Sequence, residues 1–393
     1  MKLALLPALC MAGLLCLPAT PLSAGGWTID SVDAVGIAVQ YTSMKIDAQG
    51  NVHVAYVLND NNHYPLRYAF WDHALKKWFV MTVDQNAGTC SLALDSKQHP
   101  HIAFTDFAGG RLRYAHWDGS KWDHETLPIN AQNINYYQSI ALTPGDRPNI
   151  VFYEYEGPRG SDYKIRLRIV QWDGKNWALR TLDSDQGSGK FNSMVVDQQG
   201  HLHIAYANVS ATTGGMRYAY WDGKDWKIEI LEGEKENHGH GVGWSCNIAV
   251  DKDSIPHMTY MDEVEKLVKY AVRRNNKWQI QVIGKVTGVA YPDRNSIAID
   301  RNGVPYVGFF DGGSGSLEVE HPEGQKWVIE TVDADNAGFT SSMQIDNNNV
   351  AWISYADGAN GGIKVAHRQL SSLPAAATGA AQATAAMQNE PKK

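Results

Sequence analysis

The sequence predicts an all-β protein, a seven-bladed β-propeller made of four-stranded antiparallel blades. The main observation is a repeat whose first run ends in Asp47, Asp95, Asp197, Asp251, Asp300 and Asp346, with Thr143 in the equivalent place of one further unit. Neighbouring anchors lie 46 to 54 residues apart, a period typical of propeller blades. A composition of 13 Trp, 18 Tyr and 36 Gly agrees, because many short strands need aromatic packing and many turns.

Each unit contains four strand-length runs, which we name strands a to d from the axis outward. In one unit they are "SLALD", "PHIAFTD", "LRYAHWD" and "KWDHETL". Six units carry a tryptophan at the start of strand d, at Trp78, Trp122, Trp177, Trp226, Trp278 and Trp327.

The last unit stops after strand c, at "GGIKVAHRQL". At the other end of the chain, "GWTIDSVD" aligns with "KWFVMTVD" and places Trp27 in the tryptophan column. The N-terminal strand is therefore predicted to be the outer strand of the last blade. It closes the ring and covers an open sheet edge.

Residues 1–24 have the pattern of a cleavable signal peptide, with Lys2, an apolar run and Leu22-Ser23-Ala24 as the cleavage site. The propeller is predicted over 25–370, and the Ala-rich residues 371–393 are predicted to be a disordered tail. We expect an exported, periplasmic or extracellular monomer without membrane insertion, because no other run is long and apolar enough to span a bilayer. The mild net charge of −7 argues against nucleic-acid binding.

The runs "ALDSKQHPHIAF", "VVDQQGHLHIAY" and "AIDRNGVPYVGF", each followed by a strand-c run such as "RYAHWDG", resemble those of secreted bacterial seven-bladed propellers. These are loosely related to sialidase-like propellers with BNR-type repeats, and the resemblance covers residues 26 to about 368. It implies the fold. The Asp boxes that accompany sialidase activity are not present in full, so the resemblance does not imply sialidase chemistry.

Residues that recur in every blade are interpreted as scaffold. The strand-d tryptophans are predicted to pack between blades. A strand-b column is predicted to make structural hydrogen bonds, and a serine column at the start of strand a is predicted to form a hydrogen-bonded inner ring. The strand-b column is His53, His101, Asn149, His203, His257, Tyr306 and Trp352; the strand-a column is Ser43, Ser91, Ser139, Ser193, Asn247, Ser296 and Ser342. Cys90 and Cys246 fall nearly opposite each other across the channel, too far apart for a disulfide, and are predicted to be thiols.

Function is predicted where the blades differ, at the channel mouth formed by the d–a and b–c loops. Strand b ends in a column with five carboxylates, which predicts either turn capping or an acidic girdle for a cation or for sugar hydroxyls. Aromatic residues beside carboxylates and amides suit carbohydrate. The candidate ligand-binding residues are Tyr137, Tyr153, Glu154, Phe191, Trp244, Asp262, Asp293, Arg294, Asp311 and Phe339.

Three functions follow from this mouth. The favoured one is a non-catalytic binding propeller that recognises a glycan or a partner protein. The second is a polysaccharide lyase acting on a uronate-containing glycan, with His240 and Tyr291 as acid and base and Arg294 neutralising the carboxylate. The third is an envelope assembly protein. No cofactor and no metal site is assigned, with Ca²⁺ or another divalent cation at the girdle as the alternative.

Overall fold

The computed structural model describes residues 22–24, 26–106, 110–129, 134–156, 164–210, 214–233, 241–287 and 295–371. Within these ranges the strands form seven separate antiparallel sheets. Six sheets have four strands and the seventh has five. The seven-bladed, all-β prediction is confirmed.

The strands of the first three blades follow one another in chain order. The first blade comprises β3 (Ala38–Ile46), β4 (Val52–Asn59), β5 (Leu66–Asp72) and β6 (Lys77–Asp84). The second comprises β7 (Cys90–Leu94), β8 (Pro100–Thr105), β9 (Leu112–Trp117) and β10 (Trp122–Thr126). The third comprises β11 (Ile134–Thr143), β12 (Arg147–Glu156), β13 (Lys164–Trp172) and β14 (Trp177–Asp183).

The next three blades repeat this order. The fourth comprises β15 (Ser188–Val196), β16 (Leu202–Asn208), β17 (Gly215–Trp221) and β18 (Trp226–Gly233). The fifth comprises β19 (Val242–Val250), β20 (Pro256–Asp262), β21 (Leu267–Arg274) and β22 (Lys277–Lys285). The sixth comprises β23 (Ser296–Ile299), β24 (Pro305–Asp311), β25 (Ser316–Glu323) and β26 (Lys326–Asp333).

The seventh blade joins the two ends of the chain. It comprises β27 (Ala337–Ile345), β28 (Val350–Asp357), β29 (Ile363–Gln369), β2 (Trp27–Asp33) and the short β1 (Leu22–Ala24). β2 pairs with β29 in antiparallel register, with Ile29 opposite Ala366. The predicted ring closure is confirmed. β1 adds a fifth strand from residues that the sequence assigns to the signal peptide, while residues 1–21 lie outside the described part.

The Asp anchors that reveal the repeat are turn-capping residues. Asp47 Oδ1 accepts hydrogen bonds from the backbone N–H groups of Gln49 (2.9 Å) and Asn51 (2.8 Å). The same pair of bonds recurs at the other Asp anchors, Asp95, Asp197, Asp251, Asp300 and Asp346. An aspartate is suited to this place because its side chain satisfies two backbone donors of a tight a–b turn.

The strand-b histidines make the structural hydrogen bonds that the sequence predicts. The Nδ1 atom of His53 lies 2.6 Å from the hydroxyl of Tyr68, and its Nε2 atom lies 3.4 Å from Asp47 Oδ2. His101, His203 and His257 repeat this arrangement in their own blades. These histidines therefore belong to the scaffold at the end of the ring opposite the mouth.

The strand-d tryptophans pack between blades, as predicted. Trp122, Trp177, Trp278 and Trp327 each lie against a strand-c tyrosine of the preceding blade, with ring centroids 5.0 to 5.6 Å apart. Such aromatic contacts add stability beyond the burial of their area.

The serine column forms an inner belt around the axis, which confirms that prediction. Ser43 Oγ accepts a hydrogen bond from Leu92 N of the next blade at 3.0 Å, and Ser91 Oγ accepts one from Ile140 N at 3.1 Å. The bonds to Ser139, Ser193 and Ser342 continue the pattern. The belt links the innermost strands of neighbouring blades.

Among the described residues, no helix is long and apolar enough to cross a membrane.

Candidate functional site

A cavity of about 510 Å³ follows the axis of the ring. Its wall is formed by the innermost strand of each blade. Several wall serines already accept backbone hydrogen bonds in the belt, so the wall itself offers little that differs from blade to blade. Side chains that distinguish one blade from the next gather at the mouth, where the innermost strands begin.

Three aromatic side chains from consecutive blades lie side by side at this mouth, with their rings tilted against each other. The ring centroid of Phe191 lies 4.6 Å from that of Tyr137 and 5.1 Å from that of Trp244. We call these three residues the aromatic row. Phe191 is 6 % exposed, whereas Tyr137 and Trp244 remain partly exposed. The sequence named all three as ligand contacts, and the structure brings them together as one surface.

The backbone of the row is held in an uncommon conformation. Tyr137 and Phe191 have φ angles of 73° and 53°, in the left-handed region that L-residues rarely adopt. Both lie where the register of the innermost strand shifts against its neighbour. Asn192 steadies this bulge, because its Nδ2 donates to Tyr137 O at 2.8 Å and to Gly189 O at 2.9 Å. Such strain costs of order 1–3 kcal/mol per residue and is concentrated at functional sites.

Tyr153 supports the row from beneath. Its ring lies 6.0 Å from that of Tyr137 and 5.4 Å from that of Tyr155, but Tyr153 is only 2 % exposed. The sequence named Tyr153 as a ligand contact. Tyr153 and Phe191 are both buried and pack among their neighbours, so the exposed ring area at this end of the row belongs to Tyr137 and Trp244.

The carboxylate column at the end of strand b does not form an open acidic girdle. Each carboxylate has its own partner within the fold. The pairs are Asp106 with Arg111, Glu154 with Arg168, Asp262 with Lys269, Asp357 with Lys364, and Asp311 with Thr287 and Ser314. Four of these carboxylates are neutralised by a cation, so the structure favours the structural alternative over a girdle for a metal ion.

The pKa shifts agree with this internal pairing. Burial opposes the charge on Lys269, but Glu232 at 2.7 Å and Asp262 at 3.1 Å outweigh it and raise the pKa of that amine. Burial also opposes the charge on Asp311, yet hydrogen bonds from Thr287 and Ser314 keep the pKa of that carboxyl below its usual value. Both groups are therefore held in their charged forms by neighbours.

Phe339 lies apart from the aromatic row, on the seventh blade. Its ring lies 4.4 Å from that of Phe310 on the sixth blade. The predicted contacts thus form two aromatic groups at the mouth. His240, Tyr291, Asp293 and Arg294 lie outside the described residues, so their positions relative to these groups are not part of the structure.

The two cysteines line the cavity without forming a disulfide. Cys246 Sγ donates a hydrogen bond to Phe191 O at 2.8 Å, and burial raises the pKa of this thiol. In the part of the chain that the structure describes, no three His, Cys, Asp or Glu side chains are grouped to share a metal ion.

The sequence interpretation missed a charged network between blades. An acid at the end of strand d accepts a hydrogen bond from a strand-b tyrosine of the next blade, for example Tyr206 to Asp183 at 2.8 Å. The same acid pairs with a strand-c cation of that next blade, here Arg217 at 2.8 Å. We call each such contact a seam. The sequence repeat contains both partners, an acid at the end of "TLD" or "TVD" in strand d and a basic residue in strand c. Only the packing of neighbouring blades shows that these two columns of residues contact each other.

No family model and no curated protein matches this sequence. Solved structures match in fold. The polysaccharide lyase Uly1 matches at 10 % identity and a TM-score of 0.55, over 84 % of this chain and 90 % of that one. The Hadza microbial sialidase Hz136 matches at 10 % identity and a TM-score of 0.51, over 81 % and 76 %. A Dyadobacter fermentans protein of unknown function matches at 11 % identity and 0.51, over 86 % and 98 %.

Proposed function

We propose that this protein is a binding propeller that recognises carbohydrate at the channel mouth, over the partly exposed rings of Tyr137 and Trp244, with the buried ring of Phe191 packed between them. The aromatic row is the observation that carries the proposal. Three rings from three blades form one continuous surface, two of them with exposed area, and strained backbone holds two of the three in place. Scaffold aromatics of this fold, such as the strand-d tryptophans, instead pack within the blade interfaces.

The chemistry of such a surface fits a sugar ring. The C–H groups of a pyranose face pack on aromatic rings, and the sugar hydroxyls need hydrogen-bonding groups close by. The cavity beside the row is lined by Asn192, Ser245 and other polar residues, so apolar and hydrogen-bonding surfaces adjoin. Two proteins of similar fold, a polysaccharide lyase and a sialidase, are named for action on carbohydrates, which agrees with this proposal.

Glycan-array screening of the purified protein, followed by calorimetry on the best ligand, tests the proposal. Replacing Trp244 with Ala is expected to weaken binding about tenfold, because a lost stacking contact of this size costs roughly 1.4 kcal/mol. Phe79→Ala is the matched control, since Phe79 is a partly exposed ring on the outer strand of the first blade. Equal affinity for the Trp244→Ala variant and the wild type, with both folded by circular dichroism, would contradict the proposal.

A polysaccharide lyase is the second candidate, favoured by the match in fold to a polysaccharide lyase over most of both chains. His240 and Tyr291 would act as acid and base, and Arg294 would neutralise a uronate carboxylate. Ultraviolet absorbance of unsaturated products from anionic polysaccharides tests this activity. Loss of signal in His240→Ala but not in His73→Ala, an exposed histidine at a c–d turn, would support it; no signal from the wild type across a broad panel would exclude it.

We also propose that the protein is exported after removal of its first residues. Mass spectrometry of the protein from the periplasm or the medium measures the mature N-terminus. Cleavage after Ala24 would remove β1, and the seventh blade would keep four strands like the others. If the glycan panel is silent and a defined protein co-purifies, the assembly role replaces the carbohydrate proposal.

A further inference from the structure

One seam of the ring lacks the acid–cation pair and carries an acid in place of the cation. At five seams the strand-d acid of one blade meets a strand-c cation of the next, at distances of 2.7 to 3.4 Å. The five acid–cation pairs are Asp33 with Arg67, Asp84 with Arg113, Asp183 with Arg217, Glu232 with Lys269, and Asp333 with Lys364.

Between the fifth and sixth blades both columns change. Gly284 stands in the column that holds the acid at those five seams, since it pairs with Val268 as Asp84 pairs with Leu66. The second blade also lacks an acid there, with Pro128 in the same column. Glu318 stands where the other blades have the cation. We call this interface the fifth seam. It has an acid in strand c where the paired seams have a base, and it has no acid at the end of strand d.

A second carboxylate lies at the fifth seam. Glu320 occupies a column that is alanine in most blades, at Ala69, Ala115, Ala219, Ala271 and Ala366. Its side chain is fully buried, at 0 % exposure, and among the residues that the structure describes neither carboxylate oxygen has a hydrogen-bond partner. A Cβ atom on Gly284 would lie 2.5 Å from Glu320 Oε1, so this glycine is needed to make room for the carboxylate.

Glu318 is only half satisfied. Its Oε1 accepts hydrogen bonds from Ser316 Oγ at 2.5 Å and Thr331 Oγ1 at 3.2 Å, while the buried Oε2 has no partner. Within the described part of the chain, three buried carboxylate oxygens thus lack a hydrogen-bond donor. Burial, and then the charge of Glu318, raise the pKa of Glu320 to about 7. Burying carboxylates without a counter-charge is costly, and the five paired seams avoid that cost with a lysine or an arginine.

We propose that the fifth seam is a structural binding site for Ca²⁺, held by the carboxylates of Glu318 and Glu320. Ca²⁺ takes hard oxygen ligands, including carboxylates that bind through both oxygens, and its two charges balance these two side chains. The hydroxyls of Ser316 and Thr331 donate hydrogen bonds to Glu318 Oε1, so two further oxygens lie beside this carboxylate. The ion supplies the positive charge that the neighbouring seams obtain from a side chain.

Thermal unfolding and calorimetry on chelator-treated full-length protein test the site. The measurements are made at about pH 8.5. At this pH even a carboxyl group whose pKa is raised to near neutrality is ionised. Adding Ca²⁺ up to about 5 mM is expected to raise the melting temperature by about 2–4 °C and to give saturable heats. Glu320→Gln is expected to abolish both effects, whereas Glu323→Gln, an exposed position on the same strand, behaves like the wild type.

Two further variants keep the test decisive. Glu318→Gln is expected to lose the Ca²⁺ response as well, and it serves if Glu320→Gln fails to fold. Glu320→Ala restores the residue of the other blades, so we expect it to unfold at a higher temperature than the wild type in chelator and to ignore Ca²⁺. A wild-type melting temperature unaffected by Ca²⁺, or an equal rise in Glu320→Gln, would overturn the proposal.

Discussion

Replacing Trp27 with Ala tests whether the N-terminal strand closes the ring. Trp27 is fully buried, and it shares a core cluster with Tyr306 and Val319 of the sixth blade. The guanidinium of Arg368 lies 4.8 Å from its ring centroid. One side chain at the start of the fold thus packs against two blades from its far end, and removing it leaves a cavity between them.

The magnitude follows from that burial. Truncating a buried tryptophan to alanine costs about 3–5 kcal/mol. For a domain of roughly 350 residues, the unfolding entropy is about 0.7 kcal/mol/K, so the melting temperature is expected to fall by about 4–7 °C. Deleting residues 26–33 is expected to cost more, because the whole outer strand is lost and the edge of β29 is exposed.

Differential scanning calorimetry measures both effects. Trp226→Ala is the matched control, a partly buried tryptophan in the same column of an internal blade, and its loss is expected to be smaller. A chain lacking residues 372–393 is expected to melt with the full-length protein, in line with the predicted tail. If Trp27→Ala and the wild type melted at the same temperature, the ring closure would carry no stability and the reasoning would be refuted.

Three further predictions concern single residues. Glu154→Gln removes the negative charge that pairs with the largely buried Arg168. Urea titration is expected to show a loss of about 1.5–3 kcal/mol in the free energy of unfolding. No loss would mean that solvent replaces the carboxylate. Burial lowers the pKa of His101 from 6.5 to about 4, so between these values the unfolded chain binds more protons. Stability is therefore expected to fall as the pH drops through this window, and less steeply in His101→Gln, whereas parallel pH profiles would contradict it. Asn349 has a φ of 63° and a buried amide with no partner, so Asn349→Gly, which restores the residue seen at Gly50, is expected to raise the free energy of unfolding by about 1 kcal/mol; a lower melting temperature would show that the amide is satisfied.

The repeat made most of the fold predictable. Strand order, turn aspartates, the tryptophan column and the ring closure recur once per blade, so an alignment of the chain with itself identifies them. The sequence also singled out Tyr137, Phe191 and Trp244, which break the pattern of the repeat, and the fold places their rings side by side.

Other features of the mouth were not predictable in this way. The sequence does not show whether a strand-b carboxylate such as Glu154 faces solvent or an arginine. Only the packing of the strands shows its contact with Arg168. The burial of Tyr153 could not be foreseen for the same reason, since its place in strand b does not reveal that the rings of Tyr137 and Tyr155 lie against it and that it is 2 % exposed.

The sequence by itself determined the number of blades, the role of each strand and the place where the chain ends meet. These features depend on local hydrogen bonding and on the repeat period of the blades, and both can be read from the order of residues in the sequence. Only the tertiary structure decided which charges are compensated, because the strand-d acids and strand-c cations belong to different blades and meet across their interfaces. It also decided that Glu318 and Glu320 are buried together beside Gly284, a juxtaposition that arises when two columns of the repeat change at one interface.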